Sequence, residues 1–250
     1  LLVATATGLA LVPILMGYFG MSFEEGIATS LLISTLIVIA LWVFGDPYAP
    51  GWITPALPLV LAFVLARYET PELRFQAMTA LSLSFALLVF VLGITRAGPR
   101  LMAWLPPTLR ATILIGSALA AFRQVFVTDA PRFLEQQPVS ILLACAVCLV
   151  VVFSAPLQRL QGRQPWLRHV IALGLLPGFL AAAIVGPLVG EVSYDVQWGW
   201  MLPPVGDALA KMSPFSIGWP PLSMYLDVLP LVLLTYIIQF GDWVTADAVL

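Results

Sequence analysis

Charge is excluded from long stretches of this chain, and that constrains it more than any motif. Residues 1–23 carry no charge before Glu24 and Glu25. Further uncharged, apolar windows run over Gly26–Gly45, Pro47–Ala66, Phe75–Thr95, Pro138–Gln158 and Val170–Gly190. A window from Leu105 to Phe122 holds Arg110, and a last one opens at Val228 and holds Asp242 and Asp247. Each is close to the ~20 apolar residues with which a helix crosses a bilayer. In hydrocarbon every backbone polar group needs an internal partner, which a helix supplies. The pattern predicts an all-α integral membrane protein with about eight transmembrane spans. A soluble domain carries about 25% charged residues. Here the figure is 10%, with 61% hydrophobic residues and a net charge of −2. That balance excludes a soluble globular domain, a nucleic-acid binder and a disordered chain, and leaves the lipid bilayer as solvent. Leu1 and Leu250 both fall inside apolar stretches, as expected of a piece of a longer membrane protein. No charged segment and small-residue cleavage site precede the first span, so it does not read as a signal peptide.

Orientation is nearly balanced. The loops after spans two, four and six hold Arg96, Arg100, Arg159, Arg163 and Arg168. The loops after the odd-numbered spans hold Arg67, Arg74, Arg123, Arg132 and Lys211, with most of the acids. Basic residues favour the cytoplasm. Arg110 tips the count, and places the even-numbered loops and the N-terminus inside. The longest break, Glu191–Asp227, holds Trp198, Trp200, Trp219 and Pro pairs at 203–204 and 220–221. Trp gathers at membrane interfaces and Pro stops helices, so this segment reads as an extended linker along the outer interface.

Three places attract chemistry. Four prolines and a glycine fall within Pro47–Pro58. Each Pro removes a donor and clashes one turn back, so the third span is broken, with a half-helix starting near Pro55 or Pro58. Irregular backbone at membrane depth survives only where protein buries it or water fills a cavity. A half-helix start presents free N–H groups and a positive dipole end, which suits an anionic or carbonyl-bearing solute. Thr54, Pro55 and Ala56 are therefore candidate binding residues. Asp242 lies ~15 residues, or roughly 20 Å, into the last apolar run. An acid at that depth marks a proton, ion or substrate site. Gln239 and Thr235 precede it at helical spacing and share its face; Asp247 is a weaker candidate. In the fifth span Thr112, Gly116 and Ala120 make a small face suited to helix packing. Cys145 and Cys148 lack the partners of a metal site and read as packing residues, and His169 as a loop residue. No nucleophile–base pair or metal-ligand cluster appears in the spans, so the chain reads as no enzyme, with no cofactor.

The order of these elements resembles the uracil/xanthine permeases, the nucleobase–ascorbate transporter family, whose fold sulfate permeases share. The resemblance rests on Leu11-Val-Pro13, on the broken span Tyr48-Ala-Pro-Gly-Trp-Ile-Thr-Pro-Ala56, and on Leu105-Pro-Pro-Thr with Ile115-Gly-Ser-Ala-Leu119. It extends to Leu229-Pro230 and Phe240-Gly-Asp-Trp-Val-Thr-Ala-Asp-Ala-Val249. It implies the N-terminal part of a transporter built as two inverted seven-helix repeats. Residues 1–97 would be core-domain helices one to four, 98–190 gate-domain helices five to seven, 191–227 the linker, and 228–250 the start of repeat two. It also implies a solute held at Thr54, Pro55 and Ala56 with Gln239 and Asp242, and Asp242 as the residue coupled to a proton or sodium ion. The expectation is a multi-pass plasma-membrane protein, of the bacterial inner membrane, that forms a homodimer and moves a nucleobase or similar small solute. Where the family carries a substrate-binding Glu on its eighth helix, this chain has Ile238. That departure favours the alternative, a sulfate-permease-like anion transporter.

Overall fold

The structure, a computed structural model, describes residues 11–44, 56–104, 106–131, 134–161, 164, 167, 176–194, 199 and 202–249. All regular structure among the described residues is helical. The helices are α1 (Val12–Phe19), α2 (Phe23–Phe44), α3 (Leu57–Arg67), α4 (Pro71–Thr95), α5 (Gly98–Trp104) and α6 (Pro107–Arg123). A π-helical turn (Gln124–Thr128) follows, then α7 (Pro138–Phe153), α8 (Ala155–Gln161), α9 (Leu176–Val189), α10 (Val205–Met212), α11 (Pro214–Ile217) and α12 (Leu222–Val249). Among the described residues three helical stretches are long and apolar enough to cross a membrane: Pro71–Thr95, Ala111–Thr128 and Leu222–Phe240. The chain divides into two compact units, one over residues 11–123 and 203–250, the other over 124–202.

In the larger unit, sequence signals start and stop the helices. Ser22 and Glu25 form a reciprocal capping box at the start of α2. The Ser22 N–H donates to the Glu25 carboxylate at 2.7 Å, and the Glu25 N–H donates to Ser22 Oγ at 3.2 Å. Gly20 (φ 66°) takes the left-handed conformation that ends α1. Thr70 caps α4, with Pro71 in the first turn. The core is a seam of α3, α4 and α12. Val60, Val64 and Tyr68 meet Ala77, Ala80 and Leu81, and with them Met224, Val228, Leu231 and Val232. Spacings of three and four residues put each set on one helix face. A second cluster joins Phe19 and Met21 to Leu61 and Phe75, with Met212 and Ile217 packed against it.

One end of this unit is tied by polar contacts. Arg74 donates to the carbonyls of Tyr68 (2.9 Å) and Tyr18 (2.5 Å), which lie where α3 and α1 end. Arg67 pairs with Asp227 at 2.8 Å, and Lys211 with Glu25 at 2.6 Å. Gln76 donates to the carbonyl of Ile217 at 2.8 Å. Helices α1 and α3 therefore run into this end, and α2, α4 and α12 run away from it. Part of the 191–227 segment is helical rather than extended. The Pro pairs at 203–204 and 220–221 bracket α10 and α11 instead of holding the whole segment out, because Pro at a helix start costs no hydrogen bond.

The smaller unit is built on α7 and α9. Its contact is made by small residues: a Cβ added to Gly178 would collide with Cys148 Sγ and lie 2.7 Å from the Ala144 carbonyl oxygen. A Cβ on Gly186 would lie 3.0 Å from Ser140 Oγ. Glu191, just past α9, caps α7. Its carboxylate accepts from the Val139 and Ser140 N–H groups and from the Ser140 hydroxyl, at 2.7–2.8 Å.

Candidate functional site

Helix α3 is short for a spanning element. Its 11 residues rise about 16 Å, whereas the 25 residues of α4 rise about 37 Å. The two form a hairpin around Tyr68–Thr70, so α3 begins a little short of halfway along its partner. The first helical residue is Leu57, between the two starts that the prolines predict, with Pro58 in the first turn. Pro58 has no N–H to leave unpaired and its φ is already helical, which explains a start at this point. Ala56 is the N-cap and is 1% exposed. Alanine has no side-chain acceptor, so the N-cap residue itself offers the first-turn N–H groups no side-chain cap. Of the three residues proposed here, Ala56 is thus placed at a buried helix start; Thr54 and Pro55 lie outside the described residues.

Helix α12 passes the same level. The Arg67–Asp227 pair sets the register between α3 and the oppositely directed α12. About ten residues back from Arg67, and about ten forward from Asp227, each lie roughly 15 Å from that pair. The count brings the first turn of α3 level with the Thr235–Gln239 turn of α12. Helix α6 packs against both α3 and α12. Because α12 is continuous from Leu222 to Val249, Thr235, Gln239 and Asp242 fall four and three residues apart on one helix face. Gln239 is half-buried; the side chains of Asp242 and Asp247 lie outside the described residues.

Thr235 is the residue whose environment sequence reasoning did not foresee. It is 4% exposed and its hydroxyl has no hydrogen-bond partner among the described residues. Helical threonines elsewhere behave differently. Thr29, Thr35, Thr79, Thr95 and Thr112 each donate to the carbonyl four residues back, at 2.6–2.9 Å. Thr235 has a carbonyl at the same spacing and does not use it. A buried hydroxyl left unpaired costs about 1–3 kcal/mol, so the arrangement needs a reason. No motif signals it, since a threonine in an apolar helix ordinarily bonds backward. Three residues further along the helix, Ile238 is 0% exposed, an apolar side chain packed inside the unit at this depth.

The end of the seam at the α3–α4 hairpin carries a second such group. Tyr68 is buried among the α3, α4 and α12 side chains and its hydroxyl finds no partner among the described residues. Burial, and then the Asp227 carboxylate, push its phenol above the ordinary range. The remaining sequence candidates fall elsewhere. The Thr112–Gly116–Ala120 face of α6 meets no helix among the described residues: a Cβ on Gly116 would find nothing within 4 Å, while Ser117 is the buried residue of that turn. Cys148 packs against Gly178 in the smaller unit. His169 lies outside the described residues.

No protein-family model and no curated protein matches this chain.

Proposed function

We propose that this chain is part of a secondary transporter of the nucleobase-permease type, moving a small polar or anionic solute by proton- or sodium-coupled alternating access. The observation that carries the reading is the buried, side-chain-uncapped start of α3 level with the unpaired hydroxyl of Thr235. Free N–H groups and the positive end of a helix dipole attract a carbonyl or an anion. Interrupted helices that begin near the bilayer midplane are how such transporters hold solute. In this reading Thr54, Pro55 and Ala56 present backbone donors, Gln239 supplies an amide, and Asp242 carries the coupling charge. Desolvation raises a carboxyl pKa toward neutrality, which suits proton exchange. The α1–α4 helices with the start of repeat two form the core that moves against a gate domain, in a homodimer of the plasma membrane.

Ile238 favours a second reading. Its buried apolar side chain stands where nucleobase permeases carry a substrate-binding Glu, and a site without that carboxylate suits an inorganic or organic anion. Uptake into vesicles containing the full-length protein tests both. Asp242→Asn is expected to abolish pH-dependent uptake; if the pH dependence survives unchanged, the coupling role is wrong. Competition by uracil or xanthine supports the first reading, and competition by sulfate, molybdate or bicarbonate supports the second.

A further inference from the structure

Residues 205–219 form the part of the chain that the transport reading leaves without a task. Helices α10 and α11 turn one side toward the protein. Ala208 is buried, Met212 and Ile217 join the Phe19–Phe75 cluster, Lys211 reaches Glu25, and Gln76 holds the Ile217 carbonyl. The other side is aromatic and open. Phe215 is 85% exposed and Trp219 57% exposed. Their rings nonetheless meet edge to face, with centroids 5.6 Å apart and planes at 88°. Two large apolar rings paired with each other in the open need a partner of their own kind.

We infer that the Phe215–Trp219 pair is seated in the headgroup–acyl boundary of the bilayer and fixes the depth of this unit there. Three observations select lipid as the occupant. First, Trp219 stands three residues before the membrane-crossing stretch Leu222–Phe240, and α11 packs near the start of the other long apolar helix, Pro71–Thr95. The pair therefore lies where the apolar length of both helices begins. Second, the aromatic patch continues into an exposed stripe down α12: Leu222, Leu226, Leu229 and Leu233. Spacings of four, three and four residues make this one helix face, graded from amphipathic aromatics to plain leucine. Third, a Trp ring has an apolar body and one N–H donor, which fits ester carbonyls above hydrocarbon. The charges nearby argue against selection of anionic lipid. Lys211 and Arg67 are paired with carboxylates and Arg74 with carbonyls, while Glu69, Glu72 and Asp207 have no cation within ion-pair distance among the described residues.

Spin labelling of the full chain in phospholipid vesicles tests this without reference to transport. In a Cys145→Ser/Cys148→Ala background, a nitroxide is attached at Ser216→Cys, between the two rings, with Asp207→Cys and Leu226→Cys as references. The ratio of oxygen to water-soluble nickel collisions is expected to lie between the two references. It is expected to fall toward the Asp207→Cys value when Phe215 and Trp219 are both replaced by Ser. The Leu226→Cys ratio, measured in that same double variant, reports that the unit remains inserted. The depth is expected to be equal in phosphatidylethanolamine vesicles with and without phosphatidylglycerol. A ratio at Ser216→Cys equal to that at Asp207→Cys in the unsubstituted chain overturns the inference. So does suppression of both collision rates, which assigns the patch to a second copy of the chain or another protein. A seat that forms only with phosphatidylglycerol overturns the lipid-charge argument and with it the mode of anchoring.

Discussion

Thr235 is the residue at which stability and the proposed role pull apart. Its hydroxyl is buried and unpaired among the described residues, so replacing it with the near-isosteric methyl of valine removes a desolvation cost of about 1–3 kcal/mol. Thr235→Val is therefore expected to raise the thermal midpoint of the detergent-solubilised protein, whereas Thr79→Val, which deletes a formed hydrogen bond, is expected to lower or leave it. If the hydroxyl serves a solute, the same Thr235→Val change weakens uptake while it stabilises the fold. A midpoint that falls in Thr235→Val would show that the hydroxyl is satisfied after all. Gly178 gives the opposite case, a residue held for space alone. A methyl there meets Cys148 Sγ and the Ala144 carbonyl oxygen. Gly178→Ala is expected to destabilise the smaller unit by about 1–3 kcal/mol. Cys148→Ala removes only the sulfur side of the collision, so the pair should recover part of that loss, with a coupling of about 0.5–3 kcal/mol in a double-mutant cycle. Strict additivity of the two changes would mean that the helices separate instead of clashing.

At the scale of elements, the sequence was most legible where proline and charge act locally. The prolines of the third span set a helix start near Pro55 or Pro58, and α3 begins between them at Leu57. Charge misled at the last span. Asp227 suggested a start at Val228, yet α12 opens six residues earlier at Leu222, because Arg67 neutralises the acid and lets it sit inside the first turns. Pro230 is likewise carried within that helix, as membrane helices allow when neighbours satisfy the freed carbonyl. The docking of α10 was not legible at all. Lys211 and Glu25 are separated by 186 positions, and no local pattern links them. Their bond makes a pH prediction. Lys211, with the Ser22 N–H, holds the Glu25 carboxyl below the usual carboxylate range. A lowered folded-state pKa contributes stability that is present above the unfolded value and is lost as pH falls through the folded one. The α10 contact should thus hold from neutral pH down to the ordinary carboxylate range and loosen below it. The Lys211 side chain is 45% exposed, so the bond is worth about 1 kcal/mol or less. Glu25→Gln should show at neutral pH the faster amide exchange over Val205–Met212 that the unaltered chain shows only in acid. Equal exchange in the two proteins at neutral pH would assign the docking of α10 to Met212 and Ala208 alone.

For the whole molecule, hydropathy foretold helices long and apolar enough to cross a membrane, three among the described residues, and concealed the grouping. Uncharged windows of about 20 residues announce helices in a membrane, but a window says nothing about which helices share a core. The grouping depends on residues such as Gly178, Gln76 and Arg67, each of which meets a residue far away in the chain. Here the helices fall into two compact units, with residues 203–250 returning to join 11–123. Proteins open locally in cooperative units, often coincident with compact substructures. A lesion in the α7–α9 contact should therefore stay in its own unit. Gly178→Val, which drives a branched side chain into Cys148 and Ala144, is expected to speed amide exchange over Pro138–Phe153 and Leu176–Val189 while leaving Pro71–Thr95 and Leu222–Phe240 as protected as before. Val228→Ala, which empties a fully buried position in the α4–α12 seam, should give the mirror image, with a loss of about 0.5–2 kcal/mol confined to that seam. Exchange mapped by mass spectrometry on both variants decides the point. Faster exchange in both units from either single change would mean that the molecule opens as one, and that its two cores are stabilised together.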